Sequence, residues 1–305
     1  MKRIEQALLI SIIICILSVP GHLCAGTGDA GSAGAYLRMG VGARPLGMGG
    51  TFTAMANDVY ATYWNPAGLT QLRSHEIGSM YTLMSLDRKH NSICYAVPFG
   101  GAWALGVGWI NFGVDKIERR TGNTIDPEGT FDDAENAYSL SIAKSVMEAL
   151  AFGGNFKFLT HKLADKSATG FGFDLGLLFK PKNFLSFGLN IQDIASGLKW
   201  NTDPEHKDKF PLNIRGGAVL KLLNERLLVG IEPEKNLNQS MKLHGGAEYW
   251  LVEVFAARAG YDDEEFTAGA SFKISNFQLD YAFSTDKLDE GSSHRISLLI
   301  KLAGK

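Results

Sequence analysis

From Ser74 onward, large apolar residues recur at every second position. In Phe171-Gly172-Phe173-Asp174-Leu175-Gly176-Leu177 they share one face, and glycine and aspartate share the other. Leu150–Phe158, Leu185–Gln192 and Phe277–Phe283 repeat the pattern, and Arg295–Leu302 keeps it less cleanly. A period of two held this long specifies strands with one apolar and one polar face. Fourteen candidates result, at 74–85, 89–99, 102–113, 135–146, 149–161, 168–179, 184–192, 211–222, 226–232, 240–250, 253–261, 265–274, 277–285 and 294–303.

The joints between them fall into two sets. Gly100-Gly101, Met147-Glu148, Pro181–Asn183, Leu223–Glu225, Leu251-Val252 and Ser275-Asn276 are hairpin-tight. The alternate joints include the long Val114–Ala134 and Asp193–Phe210, with short ones at Leu86–Arg88 and Asp262–Glu264. Short turns at one end and longer loops at the other suit a transmembrane barrel.

A soluble exported β-sandwich that binds a ligand would alternate too. Strand length favours the barrel, because most candidates run nine to thirteen residues, longer than the usual soluble strand. The polar face also mixes glycine with Lys157, Asp174, Arg215, Lys242, Glu248, Arg258 and Asp280, as a crowded lumen would. An even-stranded closed barrel leaves no backbone group unpaired in lipid. The expected fold is all-β: a transmembrane antiparallel barrel of about 14 strands preceded by a short helical N-terminal segment, the plug implied by the family resemblance that its residues carry.

The first residues read as an export address. Lys2 and Arg3 precede the apolar stretch Ala7–Val19, Pro20-Gly21 breaks it, and Cys24, Ala25 and Gly26 are small. This is a secretory signal peptide, too short for a transmembrane helix. An uncleaved anchor and a lipoprotein cut at Cys24 are the alternatives, and Leu23 argues against the second. The division is 1–26 signal peptide, 27–72 plug and 73–305 barrel. Cys94 then remains as a lone lumen-side cysteine without a disulfide partner. A net charge of −2 with 20% charged residues excludes a nucleic-acid binder, which would carry a basic excess.

Residues 26–72 do not alternate. Thr51–Asp58 suits two helical turns, and Tyr60–Leu69 reads as a short helix closed by a proline turn. Gly47, Gly49 and Gly50 allow close backbone approach or positive φ. Asn65 before Pro66 favours a turn that Gly68 follows, and Arg44 and Asp58 can pair inside the lumen. The ordered set Gly42-Ala43-Arg44, Gly47-Met48-Gly49-Gly50, Ala56-Asn57-Asp58 and Trp64–Leu69 resembles the N-terminus of the PorV/PorQ family, a branch of the FadL-like outer-membrane barrels. That resemblance implies a hatch lodged in a fourteen-stranded barrel in the bacterial outer membrane. It also implies a non-enzymatic role in type IX or related protein export, with secretion-system proteins as partners. A FadL-like passage for long-chain fatty acids or other hydrophobic small molecules is the alternative. For that passage a sideways opening is expected early in the wall, at Pro98, Gly100, Gly101, Gly106 and Gly108, since proline and glycine interrupt strand ladders.

Catalytic signatures are missing from the sequence. Gly40-x-Gly42-x-x-Pro45 ends in proline outside any βαβ unit, and no phosphate loop or nucleophile elbow occurs. Ser292-Ser293-His294, the candidate for a lipid hydrolase, reads as a polar loop, and Asp262-Asp263-Glu264-Glu265 as a hairpin tip more than a calcium site. No cofactor and no metal are expected, since the seven histidines follow no ligand spacing. The chain ends on Lys301-Leu302-Ala303-Gly304-Lys305, where outer-membrane barrels often end on an aromatic residue.

Overall fold

A computed structural model describes residues 33–123, 125–285 and 292–302; the signal peptide and its expected cut lie outside them. The wall begins with β1 (His75–Leu83), β2 (Arg88–Phe99), β3 (Trp103–Arg119), β4 (Gly129–Met147), β5 (Leu150–Leu163), β6 (Lys166–Lys182) and β7 (Leu185–Trp200). A three-residue β8 (Lys207–Lys209) then leads into β9 (Asn213–Leu222), β10 (Leu227–Asn236), β11 (Met241–Val252) and β12 (Phe255–Asp262). The last strands are β13 (Glu265–Ile274), β14 (Phe277–Ser284) and β15 (Ser293–Leu302). Each long strand pairs antiparallel with its neighbours, and β1 pairing with β15 closes the ring, so fourteen strands form a barrel without an edge. The short β8 pairs only with Gly197–Lys199 of β7.

The apolar face points outward. Phe171, Phe173 and Leu175 are 55%, 47% and 57% exposed, while Asp174 between them is 3% exposed. Phe156 stacks on Phe171 with centroids 5.7 Å apart, and Phe158 lies 5.5 Å from the same ring. Such rings cover the wall where a soluble protein would present polar side chains. No described helix is long and apolar enough to cross a membrane; the crossing is made by strands.

Several strands outrun their expected limits. β3 and β4 extend to Arg119 and back to Gly129, so most of the expected 114–134 loop is strand. Asp115, Lys116, Glu118, Asp132 and Asp133 supply no apolar alternation there. Above the hydrocarbon both faces are wet, so the ladder continues without the pattern that announces it.

Residues 34–72 fill the lumen. Short helices at Ala35–Arg38, Ala43–Leu46, Ala61–Trp64 and Pro66–Gln71 alternate with tight turns. Val41, Met48, Phe52, Val59, Tyr60 and Trp64 form the buried core between them and the wall. The helix expected at Thr51–Asp58 does not form. The amides of Phe52 and Thr53 donate instead to Glu232 Oε2 of β10, at 3.0 and 2.8 Å.

Candidate functional site

Wall carboxylates seat the plug. Glu248 of β11 accepts Arg44 Nε and Nη2 at 2.8 and 2.9 Å, and it also pairs with Arg258 of β12 at 2.6 Å. Arg44 Nη1 donates to Asp58 Oδ2 at 2.8 Å, the pair expected from the sequence. Burial alone would lower the Arg44 pKa, but the facing Glu248 and Asp58 outweigh it and hold the guanidinium above its ordinary value. Glu232 takes Thr53 Oγ1 at 2.7 Å and Arg215 Nε at 2.7 Å, and Glu76 of β1 takes the Val59 amide at 3.0 Å. Glu76 and Glu232 were legible only through strand parity, which turns both inward.

Glycines on both sides let backbone meet backbone. A Cβ on Gly49 would lie 2.4 Å from the Tyr261 carbonyl oxygen, and one on wall residue Gly260 2.2 Å from the Gly49 nitrogen. Gly47 faces Gly269, Gly50 sits beside Trp64 and Arg215, and Gly68 abuts the Ala56 carbonyl. Asn65 stitches the plug together: its Oδ1 accepts the Ala67 amide at 3.1 Å, and its Nδ2 donates to the carbonyls of Thr53 and Leu177 at 2.8 and 2.9 Å. Pro66 opens the last helical turn of the plug.

Within the strands, the stretch expected to weaken the wall keeps its register on both sides. Pro98 opposes Ala104, and Gly106 and Gly108 oppose Ala96 and Cys94 on one side and Ser141 and Ser139 on the other. Gly100 and Gly101 form the β2–β3 turn at φ 56° and 73°. Inside the wall, Gly106 lies under Thr62 of the plug, so its missing side chain makes room for the hatch.

The ladder departs from regularity farther round. β7 pairs with β9 from Leu185 to Gln192 and with β8 from Gly197 to Lys199. Between them, among the described residues, one bond remains toward that side, from the Phe210 amide to the Ser196 carbonyl at 3.0 Å. Asp193 and Ala195 take left-handed φ of 62° and 52°, and register shifts at Phe171–Leu175 mark the β6 side. Behind this gap, Lys157 Nζ bridges Asp174 and Asp193 at 2.7 and 2.5 Å, and the Asp193 amide donates to Asp174 Oδ1 at 3.0 Å. Phe210, between β8 and β9, turns its ring into an apolar cluster with Tyr36, Leu37, Leu159, Ala168 and Leu198. Phe112 and Trp200 pack against it.

A separate cavity of about 180 Å³ at the loop end is lined by Arg38, Trp64, Arg215, Glu234, Lys242 and His244 among others. Its charged lining does not suit an apolar solute. Ser292 is exposed and His294 half-buried, with Ser292 Oγ 3.2 Å from His294 Nε2. Asp262 pairs with His244 at 2.9 Å. Asp133, Glu135 and His161 gather at the end of β4 and β5, a grouping that linear spacing did not reveal.

The architecture resembles several solved outer-membrane barrels. The toluene transporter TbuX of Ralstonia pickettii superposes with a TM-score of 0.63 at 15% identity, over 87% of this chain and 99% of that one. The two chains share one fold. A Pseudomonas aeruginosa FadL homologue aligns over 85% of this chain and 98% of its own, with a TM-score of 0.59 at 13% identity. The CymD monoaromatic hydrocarbon channel gives 0.60 at 14% identity, over 87% and 98%. Two of these similar structures are named for hydrocarbon passage, one as a toluene transporter and one as a monoaromatic hydrocarbon channel. No family model and no curated protein sequence matches the chain.

Proposed function

We propose that the chain is a FadL-like outer-membrane passage for hydrophobic small molecules, shut in this structure by its plug. The observation that carries the reading is the apolar cluster around Leu37, Leu159 and Phe210, which abuts the break between β7 and β8–β9. A solute entering from the loop end meets Phe112, Trp200 and Tyr36 before the gap. It leaves sideways where Phe210 and Lys157 now hold the wall, without crossing the charged cavity. Apolar surface along that path keeps the solute's transfer cost low, whereas the ion-paired remainder of the lumen would strip buried charges of their partners.

Toluene and monoaromatic hydrocarbons, named for the similar structures, set the proposed size class; long-chain fatty acids are the larger alternative. Cells lacking their own hydrocarbon channels, with this barrel in their lipopolysaccharide-coated outer membrane, test it. Labelled toluene enters faster with the barrel than without, Ala168→Trp removes the gain by filling the cluster, and lipid-side Gly216→Ala retains it. No gain for toluene or a long-chain fatty acid contradicts the reading.

The second reading is PorV/PorQ-type protein export, with secretion-system proteins as partners. It is favoured by the ordered motif from Arg44 to Leu69, which in this barrel forms a plug tied to the wall at Glu76, Glu232 and Glu248. Co-purification of export components with the solubilised barrel, and no accelerated toluene entry, supports it over transport.

A further inference from the structure

Where β4 and β5 reach the loop end, three side chains with metal-binding atoms meet on the lumen face. Asp133 and Glu135 stand two residues apart on β4, so the pleat turns both inward, and Glu135 is directly opposite His161 of β5. His161 Nε2 lies 2.7 Å from Asp133 Oδ1, and Nδ1 lies 3.9 Å from Glu135 Oε2. One ligand atom from each residue falls within 4.8 Å of the other two. Trp200 of β7 packs on the imidazole with ring centroids 4.8 Å apart. The three side chains keep 14–19% of their exposure, which leaves the cluster mostly dry yet reachable from the mouth.

Charge separates this cluster from the rest of the lumen. Glu248, Glu232 and Asp174 each face an arginine or a lysine. Asp133 and Glu135, among the described residues, have His161 as their only ion-pair partner. Two carboxylates and one imidazole thus present three ligand atoms close together with no lysine or arginine paired to them.

We infer that Asp133, Glu135 and His161 bind a first-row divalent transition ion, of the Zn²⁺ or Ni²⁺ class, at the mouth of the barrel. The imidazole nitrogen selects such an ion over Ca²⁺ or Mg²⁺, which take oxygen ligands. Ligand atoms bonded at about 2.1 Å to one ion lie roughly 3 Å from each other, close to the present His161–Asp133 separation. Binding displaces the proton shared by His161 Nε2 and Asp133 Oδ1, which leaves as a released proton, and water completes the coordination. Two paired strands hold the ligands, so little ordering is required.

Untagged barrel, folded in detergent, is titrated with Ni²⁺ while tryptophan emission is followed, and with Zn²⁺ by calorimetry. One ion binds per chain, and Ni²⁺ quenches emission through the adjacent Trp200. Trp200→Phe loses most of that quenching yet keeps the calorimetric Zn²⁺ site. His161→Ala weakens binding by about 100-fold or more, beyond the loss typical of an outer-shell change. The near-isosteric Asp133→Asn and Glu135→Gln weaken it about tenfold or more and carry the test if His161→Ala does not fold, as judged by heat-shifted electrophoretic mobility. Absence of a saturable site, wild-type affinity in all three ligand variants, or equal competition by Ca²⁺ overturns the inference.

Discussion

Arg44 and Glu248, 204 residues apart in sequence, meet in a two-pronged contact, Nε to Oε2 at 2.8 Å and Nη2 to Oε1 at 2.9 Å. The planar guanidinium matches the carboxylate fork, so the contact fixes the angle of the plug as well as its position. Arg44→Ala leaves Glu248 with Arg258 as its one cation and Asp58 without its arginine, both deep in the lumen. Breaking such a buried pair costs about 3–5 kcal/mol. Urea unfolding of the detergent-folded barrel is expected to show that loss, and limited proteolysis is expected to cut near residues 43–64. Lysine at the same position recovers little, since it cannot fork.

The glycine-to-glycine approach gives a steric test. Gly260→Val places a side chain where the Gly49 amide now lies, 2.2 Å from the new Cβ. Neither backbone can yield without unseating the plug. Planar-bilayer recordings are expected to show conductance absent from the wild type. Gly216→Ala, whose Cβ meets nothing within 4 Å, is the matched control and stays closed.

Much of the wall was legible because lipid outside and a polar lumen inside impose one rule on every strand; Phe171 through Leu177 states it without ambiguity. The rule fails where its physical cause fails. Beyond the hydrocarbon, at Asp115–Glu118, both faces are wet and the strand carries no alternation. At Asp193–Ser196 the left-handed residues are aspartate and alanine, not glycine, so no local signal marked the gap, whereas Gly106 and Gly108 lie in register with both neighbouring strands, Gly106 beneath Thr62 of the plug. Thr51–Asp58 has helical composition, but Glu232, some 180 residues away, takes its amides. Asp133, Glu135 and His161 converge through strand register, which linear spacing does not display.

Charge on the outer face tests its orientation. Phe173→Arg puts a guanidinium at a 47% exposed position beside Phe156. A charge at mid-membrane depth costs about 2–4 kcal/mol in such barrels. Folding into lipid vesicles, followed by the heat-shifted gel band, is expected to weaken by that amount. Phe173→Leu leaves it within about 1 kcal/mol.

At the wall gap, Lys157→Met strands Asp174 and Asp193 without their shared cation. The single variant is expected to lose about 3–5 kcal/mol in urea unfolding. Adding Asp174→Asn and Asp193→Asn restores most of it, because no unpaired charge remains. If the gap is the exit, toluene entry is faster in the triple variant than in the wild type.

Quenching by brominated lipid addresses the central arrangement, rings outside and hatch within. Two single-tryptophan proteins are folded into vesicles of brominated phosphatidylcholine, one keeping the fully buried Trp64 and one carrying Phe173→Trp. Strong quenching of the residue at 173 with Trp64 left bright is the predicted result. Equal quenching of both, or a protein that stays in buffer with 173 shielded, contradicts the account.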